Sequence, residues 1–301
     1  MAIERKKDKY GNKMRHRGEA LLRMTAAIVF WLLFWQLLSF LIGSELLLPS
    51  PWAVVRSFCG LAQTTEFYRS ILHTLLRVAA GFAAGMAAGL LAGTLTAFSR
   101  AADVLLTPLK NIIKATPVTS FIVLILLYFS SNVTPSAVAF LAVLPICWSN
   151  VCEGLRQTDK KMTELAHAYA FGRKKTLREI YFPAVRPYLS AAATTGLGFA
   201  WKSCVAAEVI ALSKNSVGRA LYESKLYLET AELFAWTASV VLISVLFEKL
   251  LVHKLFKNKN TEGAAGRRSE SLEHGHASCE AELQYKSDAY AEYGRDEERN
   301  I

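Results

Sequence analysis

Three charged residues lie inside long apolar stretches of the sequence: Arg77, Lys202 and Glu208. A charged group at membrane depth is costly, so each is a candidate for a pore or a gate. Lys202 suits a pore-lining cation that meets an anionic solute; the alternatives are a pair with an acidic group or a place beside a water-filled cavity. Lys202 and Glu208 are about 240° apart around a helix, so a pair between them within that helix is not expected.

Glu208 and Arg77 each have an alternative structural interpretation. Glu208 is expected either near an outer gate or as a packing residue. Arg77 lies near the outer end of its apolar stretch, where its guanidinium could extend toward water in a structural role.

The remaining reactive residue types form no pattern for catalysis or metal binding. Three of the five cysteines lie in apolar stretches and none forms a C-x-x-C pair, so they are expected to pack. His274 and His276 lie in a polar tail, where a solvated position is expected rather than a metal site. No G-x-x-x-x-G-K-[ST] motif occurs, so we expect no cofactor in this chain, and any ATP must be bound by a separate subunit. The sequence therefore predicts a non-catalytic protein.

The elements that must position these residues are membrane helices. Of 301 residues, 52% are hydrophobic and the mean hydropathy is +0.24, values typical of several membrane spans. The net charge of +10 is concentrated at the N-terminus and in two later loops. That distribution favours loops kept in the cytoplasm over a nucleic-acid surface.

The apolar pattern predicts an all-α, polytopic membrane protein with about six transmembrane helices. Their expected positions are 24–43, 70–98, 117–130, 136–155, 188–212 and 231–252. The first is too long and lacks the cleavage site of a signal peptide, so the basic segment 1–23 is expected in the cytoplasm. Residues 24–256 then form the transmembrane domain, and 257–301 form a disordered cytoplasmic tail.

Four glycines recur every fourth residue in the second predicted span: Gly81, Gly85, Gly89 and Gly93. This spacing places them on one helix face, where another helix can approach closely.

The polar loop 156–183 predicts an elbow of two short helices on the cytoplasmic side. Residues 162–171 favour a helix, Gly172 suits a left-handed position after it, and 176–182 favour a second helix ended by Pro183. Apolar side chains are surrounded by basic ones in this loop, including Leu165, Tyr169, Phe171, Arg173, Lys174, Lys175 and Arg178. An exposed apolar knob with a charged rim is suited to docking on a partner protein.

The same loop resembles the EAA loop of importer-type ABC permeases. The residues that carry the resemblance, or lie within the loop that it implies, are Glu164, Leu165, Ala166, Tyr169, Gly172, Ile180 and Pro183. The usual Glu-Ala-Ala is Glu-Leu-Ala in this sequence. The resemblance implies a coupling helix that sits in a cleft of a cytoplasmic ATPase.

The resemblance extends over residues 46–256 and favours one branch of these permeases. The motifs Leu48-Pro49-Ser50-Pro51, Leu76-Arg77-Val78 and Ala206-Ala207-Glu208 are similar to those of permeases for nitrate, sulfonates and taurine. It implies a permease homodimer in the lipid of a bacterial cell membrane, two ATPase subunits and an external solute-binding protein. A secondary transporter or channel is the alternative, although no inverted repeat supports it.

Overall fold

The computed structural model describes residues 23–256, and within that range the chain is helical without strands. This confirms the predicted all-α class. The helices are α1 (Arg23–Ile42), α2 (Pro51–Leu61), α3 (Thr65–Phe98), α4 (Arg100–Ala115), α5 (Val118–Tyr128), α6 (Thr134–Arg156), α7 (Lys160–Ala168), α8 (Arg173–Thr176), α9 (Phe182–Ala211), α10 (Val217–Leu226) and α11 (Thr230–Phe256). The basic segment 1–22 and the predicted tail 257–301 lie outside the described residues.

Four of the described helices are long and apolar enough to cross a membrane: α1, α3, α6 and α11. Together, α4 and α5 would make a fifth candidate, although they meet at a bend of 104°. The third predicted span, 117–130, and the fifth, 188–212 on α9, are therefore not among the independent candidates. With 11 residues, α5 is about 16 Å long, roughly half the thickness of the hydrocarbon core.

The glycine face of α3 packs directly on α6, as its four-residue spacing predicts. A Cβ atom built on Gly85 would lie 2.8 Å from Val143 Cβ, and one on Gly89 would lie 2.6 Å from Cys147 Cβ. Such distances leave no room for any side chain, so the two backbones are in close contact along several turns.

The other face of α6 packs against α9, which makes α3, α6 and α9 the centre of the bundle. An apolar cluster joins the three helices, built on the buried residues Cys147, Val151 and Val185. The thiol of Cys147 donates to the Met86 carbonyl oxygen, and burial leaves this cysteine as a packing residue.

By contrast, α1 is almost entirely exposed. It touches the rest of the chain through a few contacts, among them the Ser39 hydroxyl, which donates to the Leu48 carbonyl oxygen, and the ring of Trp35, 5.8 Å from that of Phe234. Its large exposed apolar surface suits contact with lipid.

Candidate functional site

The predicted elbow is present, but its turn is not at Gly172. The first helix, α7, ends at Ala168, and Ala170 takes the left-handed conformation with φ of 51°. The amide of Phe171 then donates to the Ala166 carbonyl oxygen at 2.8 Å, the hydrogen bond of a Schellman ending. Gly172 is extended instead, with φ of −64°, and precedes α8. The left-handed assignment to Gly172 is therefore wrong, since the turn is made two residues earlier.

The second half of the elbow also differs from the prediction, because Pro183 does not end a helix. A π-helical segment, Leu177–Tyr181, follows α8, and the amide of Phe182 donates to the Leu177 carbonyl oxygen, five residues back. Pro183 lies in the first turn of α9, directly after the π-helical segment, and the helical backbone continues through it. The elbow thus runs without interruption into α9.

The elbow presents a protruding apolar surface. Tyr169 is 71% exposed and Leu165 is 54% exposed, and Met162 and Leu177 are similarly open. Ala166 is buried beneath them. The Lys175 ammonium lies 4.0 Å from the centre of the Phe171 ring, a cation–π contact that holds one basic side chain at the rim of this surface. Of the other residues in the predicted pattern, Glu164 and Pro183 are exposed and Ile180 is half-buried.

Glu208 is fully buried at the far end of α9, where three donors satisfy its carboxylate. Arg77 Nη1 donates to Oε1 at 2.9 Å, and the Gly218 amide donates to Oε2 at 3.2 Å. The Thr74 hydroxyl lies within hydrogen-bond distance of both carboxylate oxygens and also accepts from the Val217 amide. Glu208 therefore joins α3, α9 and the start of α10.

Arg77 extends the same network to the turn before α6. Its Nη2 donates to the Lys214 carbonyl oxygen at 2.9 Å and to Asn132 Oδ1 at 3.3 Å. The Asn132 oxygen also accepts from the Lys214 amide. The guanidinium is thus held by protein groups on three segments and is only 12% exposed, so Arg77 does not extend toward water as a snorkelling side chain would.

Lys202 lies on a different face of α9 and is exposed. Among the described residues no acidic group pairs with it. The exposed stripe on this face continues through Thr195, Phe199 and Ala206, at helical spacing. Thr195 and Phe199 also line a groove of about 250 Å³ that includes Lys114 and Thr116 at the α4–α5 bend.

The sequence analysis did not identify three of the residues around Glu208: Thr74, Asn132 and Gly218. Thr74 could have been found, because it precedes Arg77 by three residues and shares its helix face. Gly218 could not, since its requirement is tertiary: a Cβ atom there would lie 2.4 Å from Glu208 Cβ. Within residues 23–256, no group of three or more His, Cys, Asp or Glu side chains is placed to hold a metal ion.

Comparison with known proteins places this arrangement among transport permeases. Residues 85–253 match the family described as binding-protein-dependent transport system inner membrane component. The chain is 27% identical over 233 residues to the putative aliphatic sulfonates transport permease protein SsuC of Bacillus subtilis, covering 75% of this chain and 84% of that protein.

Two further relatives are named for different solutes. Identity is 30% over 240 residues with the riboflavin transport system permease protein RibX of Chloroflexus aurantiacus, which covers 77% of this chain and 89% of the relative. It is 26% over 202 residues with the nitrate import permease protein NrtB of Synechocystis, at 63% and 72% coverage. The family match spans more than half of the sequence and includes the elbow and α9, and so the chain belongs to the inner-membrane permease family of binding-protein-dependent ABC importers.

Proposed function

We propose that this chain is the pore-forming subunit of an ATP-driven importer, in which a separate cytoplasmic ATPase drives inward movement of a small anionic solute. ATP is bound by that partner and not by this chain. The chain pairs with a second copy of itself and receives solute from an external binding protein. Both termini, 1–23 and 257–301, face the cytoplasm, and 24–256 form the permease domain.

The observation that carries this proposal is the protruding surface of the elbow. Its apolar side chains, led by Leu165 and Tyr169, are exposed although they lie on a short polar loop rather than on a membrane helix. Such a surface suits a groove on a protein partner, and the neighbouring basic side chains suit an acidic rim around that groove. Family membership makes the ATPase the expected partner.

The elbow can be tested by co-purification. Tagged chain is extracted from its native host in mild detergent and its bound subunits are identified by mass spectrometry. Wild type should retain an ATP-binding subunit, whereas Leu165→Asp should lose most of it because a charge enters the apolar surface. Tyr68→Asp is the control, since Tyr68 is similarly exposed (59%) but lies on α3. Equal retention by all three proteins would contradict the docking role of the elbow.

The anionic solute is inferred from the position of Lys202. It lies nine residues before the end of α9, about 14 Å along the helix, which is close to the middle of a bilayer core of about 30 Å. An ammonium facing hydrocarbon there costs about 2.5–3.5 kcal/mol on insertion scales. The exposed face of α9 therefore faces a water-filled path, and a fixed cation in that path attracts anions.

Uptake in whole cells tests the inferred charge of the solute. Lys202→Met should lower uptake of the anionic solute, and Lys202→Arg should retain most of it because the positive charge remains. Lys225→Met, an exposed lysine on α10, provides the control. Unchanged uptake and solute preference in Lys202→Met would contradict the inference that Lys202 lies in a path for an anionic solute.

A further inference from the structure

The base of the elbow is closed by a contact between the helices that enter and leave it. The loop leaves α6 at Gln157 and returns to α9, where Tyr188 lies two turns from the helix start. The Tyr188 hydroxyl donates to Gln157 Oε1, across 31 positions of sequence. The Gln157 amide is itself oriented, because its Nε2 donates to Glu153 Oε1 at 2.6 Å.

The ring of Tyr188 contacts α6 as closely as its hydroxyl does. A Cβ atom on Gly154 would lie 2.8 Å from Tyr188 Cδ2 and 2.9 Å from its Cγ. The ring therefore packs on bare backbone, and Gly154 is the residue that makes the approach possible. Below this contact, Val185 and Leu189 pack in the apolar cluster with Val151.

A second contact fixes the end of α6 to α3 and α4. Arg156 Nη2 donates to Asp103 Oδ2 at 2.6 Å and lies 3.4 Å from the Thr96 carbonyl oxygen. The Thr107 hydroxyl donates to the other carboxylate oxygen of Asp103. Arg156, the residue immediately before Gln157, is thus anchored to α3 and α4.

We propose that Tyr188 and Gln157 are positioning residues that clasp the base of the elbow, so that a force on the elbow moves α6 and α9 together instead of spreading them. This inference rests on the proposed function, since it assigns how motion of the ATPase reaches the pore. Two helices joined only by a flexible loop absorb a displacement of that loop as a change in their separation. The clasp removes that freedom, because ring packing and a hydrogen bond both hold the separation fixed.

The clasp has a kinetic consequence that a purely structural contact does not share. Closing of the ATPase must move the membrane helices when the elbow is rigid, and that resistance limits the rate of hydrolysis. With the clasp open, the elbow yields, and hydrolysis proceeds without moving the pore. Loss of the Tyr188 hydroxyl should therefore raise kcat for ATP while KM for ATP, a property of the partner's nucleotide site, stays unchanged.

The experiment uses the tagged chain with its co-purified ATPase, reconstituted in nanodiscs, with Mg-ATP as the probe. Tyr188→Phe and Gln157→Ala should each raise kcat by about two- to tenfold, the factor that one net hydrogen bond supplies. The double variant should show no further rise, because both changes remove the same bond. Tyr68→Phe is the matched control: within the described residues its hydroxyl has no hydrogen-bond partner, and it should leave kcat unchanged.

Three results would overturn the clasp, and a fourth would refute the proposed function. An unchanged kcat in both single variants overturns the clasp, as does a lower kcat accompanied by loss of the ATPase subunit, which would show a contact needed only for assembly. Additive effects in the double variant would also overturn it. Failure of the wild-type chain to retain any ATP-binding subunit would refute the proposed function itself, and the clasp with it.

Discussion

The buried pair of Arg77 and Glu208 predicts that Glu208→Ala strongly destabilises the packing of α3, α9 and α10. The Glu208 side chain is 0% exposed and that of Arg77 is 12% exposed. Removing the carboxylate leaves the guanidinium without its counter-ion and the Gly218 amide without its acceptor. Breaking one partner of a buried pair costs about 3–5 kcal/mol, and we expect about 3 kcal/mol because Arg77 retains two carbonyl acceptors.

The assay is unfolding of the purified chain by SDS titration in mixed micelles at neutral pH. Glu223→Ala provides the matched control. Glu223 accepts from Arg219 Nε at 2.7 Å and thereby raises the pKa of that guanidinium, but both side chains are more than 40% exposed. An exposed pair contributes at most about 1 kcal/mol, so the control should lose far less stability.

A double variant separates the loss of the pair from the loss of its partners. Arg77→Met combined with Glu208→Leu removes both charges and should recover at least half of the stability that Glu208→Ala loses. If Glu208→Ala is no more destabilising than Glu223→Ala, the buried network does not hold these helices together and the reasoning is refuted.

Two glycine substitutions test the packing of the bundle and the elbow in the same unfolding assay. Gly89→Ala should lower the free energy of unfolding by about 1–3 kcal/mol, because its Cβ would lie 2.6 Å from Cys147 Cβ. Gly60→Ala is the control and should be neutral or stabilising, because nothing lies within 4 Å of its Cβ. Equal effects would contradict the close contact of α3 and α6. Gly172→Ala should change the free energy of unfolding by less than about 0.5 kcal/mol and should retain the ATPase, because Gly172 has an ordinary φ of −64° and open space around it. A large loss of stability would show that Gly172 needs the left-handed conformation.

Local patterns in the sequence predicted the features that depend on spacing along one helix. The four-residue repeat from Gly81 to Gly93 predicted the close contact with another helix, because helical periodicity places these residues on one face. The gap between the predicted spans 117–130 and 136–155 likewise overlaps the turn between α5 and α6.

Features that depend on distant parts of the chain could not be predicted from the sequence. Arg77 and Glu208 are separated by 131 positions, and only the packing of α3 beside α9 shows that they meet. The turn of the elbow was predicted at the wrong residue for another reason. Gly172 is the more favourable residue for a left-handed turn, yet Ala170 takes that conformation and Gly172 is extended. The position at which α7 ends, Ala168, sets the left-handed residue, and the conformational preference of glycine does not.

The most direct test of the central claim is photo-crosslinking from the elbow in intact cells. A benzophenone amino acid placed at Leu165 should cross-link this chain to an ATP-binding subunit. The same group at Tyr68 should not, because that residue lies in the first turn of α3. A cross-linked ATP-binding subunit from Leu165 alone is the predicted result. The same products from both positions, or only lipid adducts from Leu165, would contradict the assignment of the elbow as the ATPase-coupling surface.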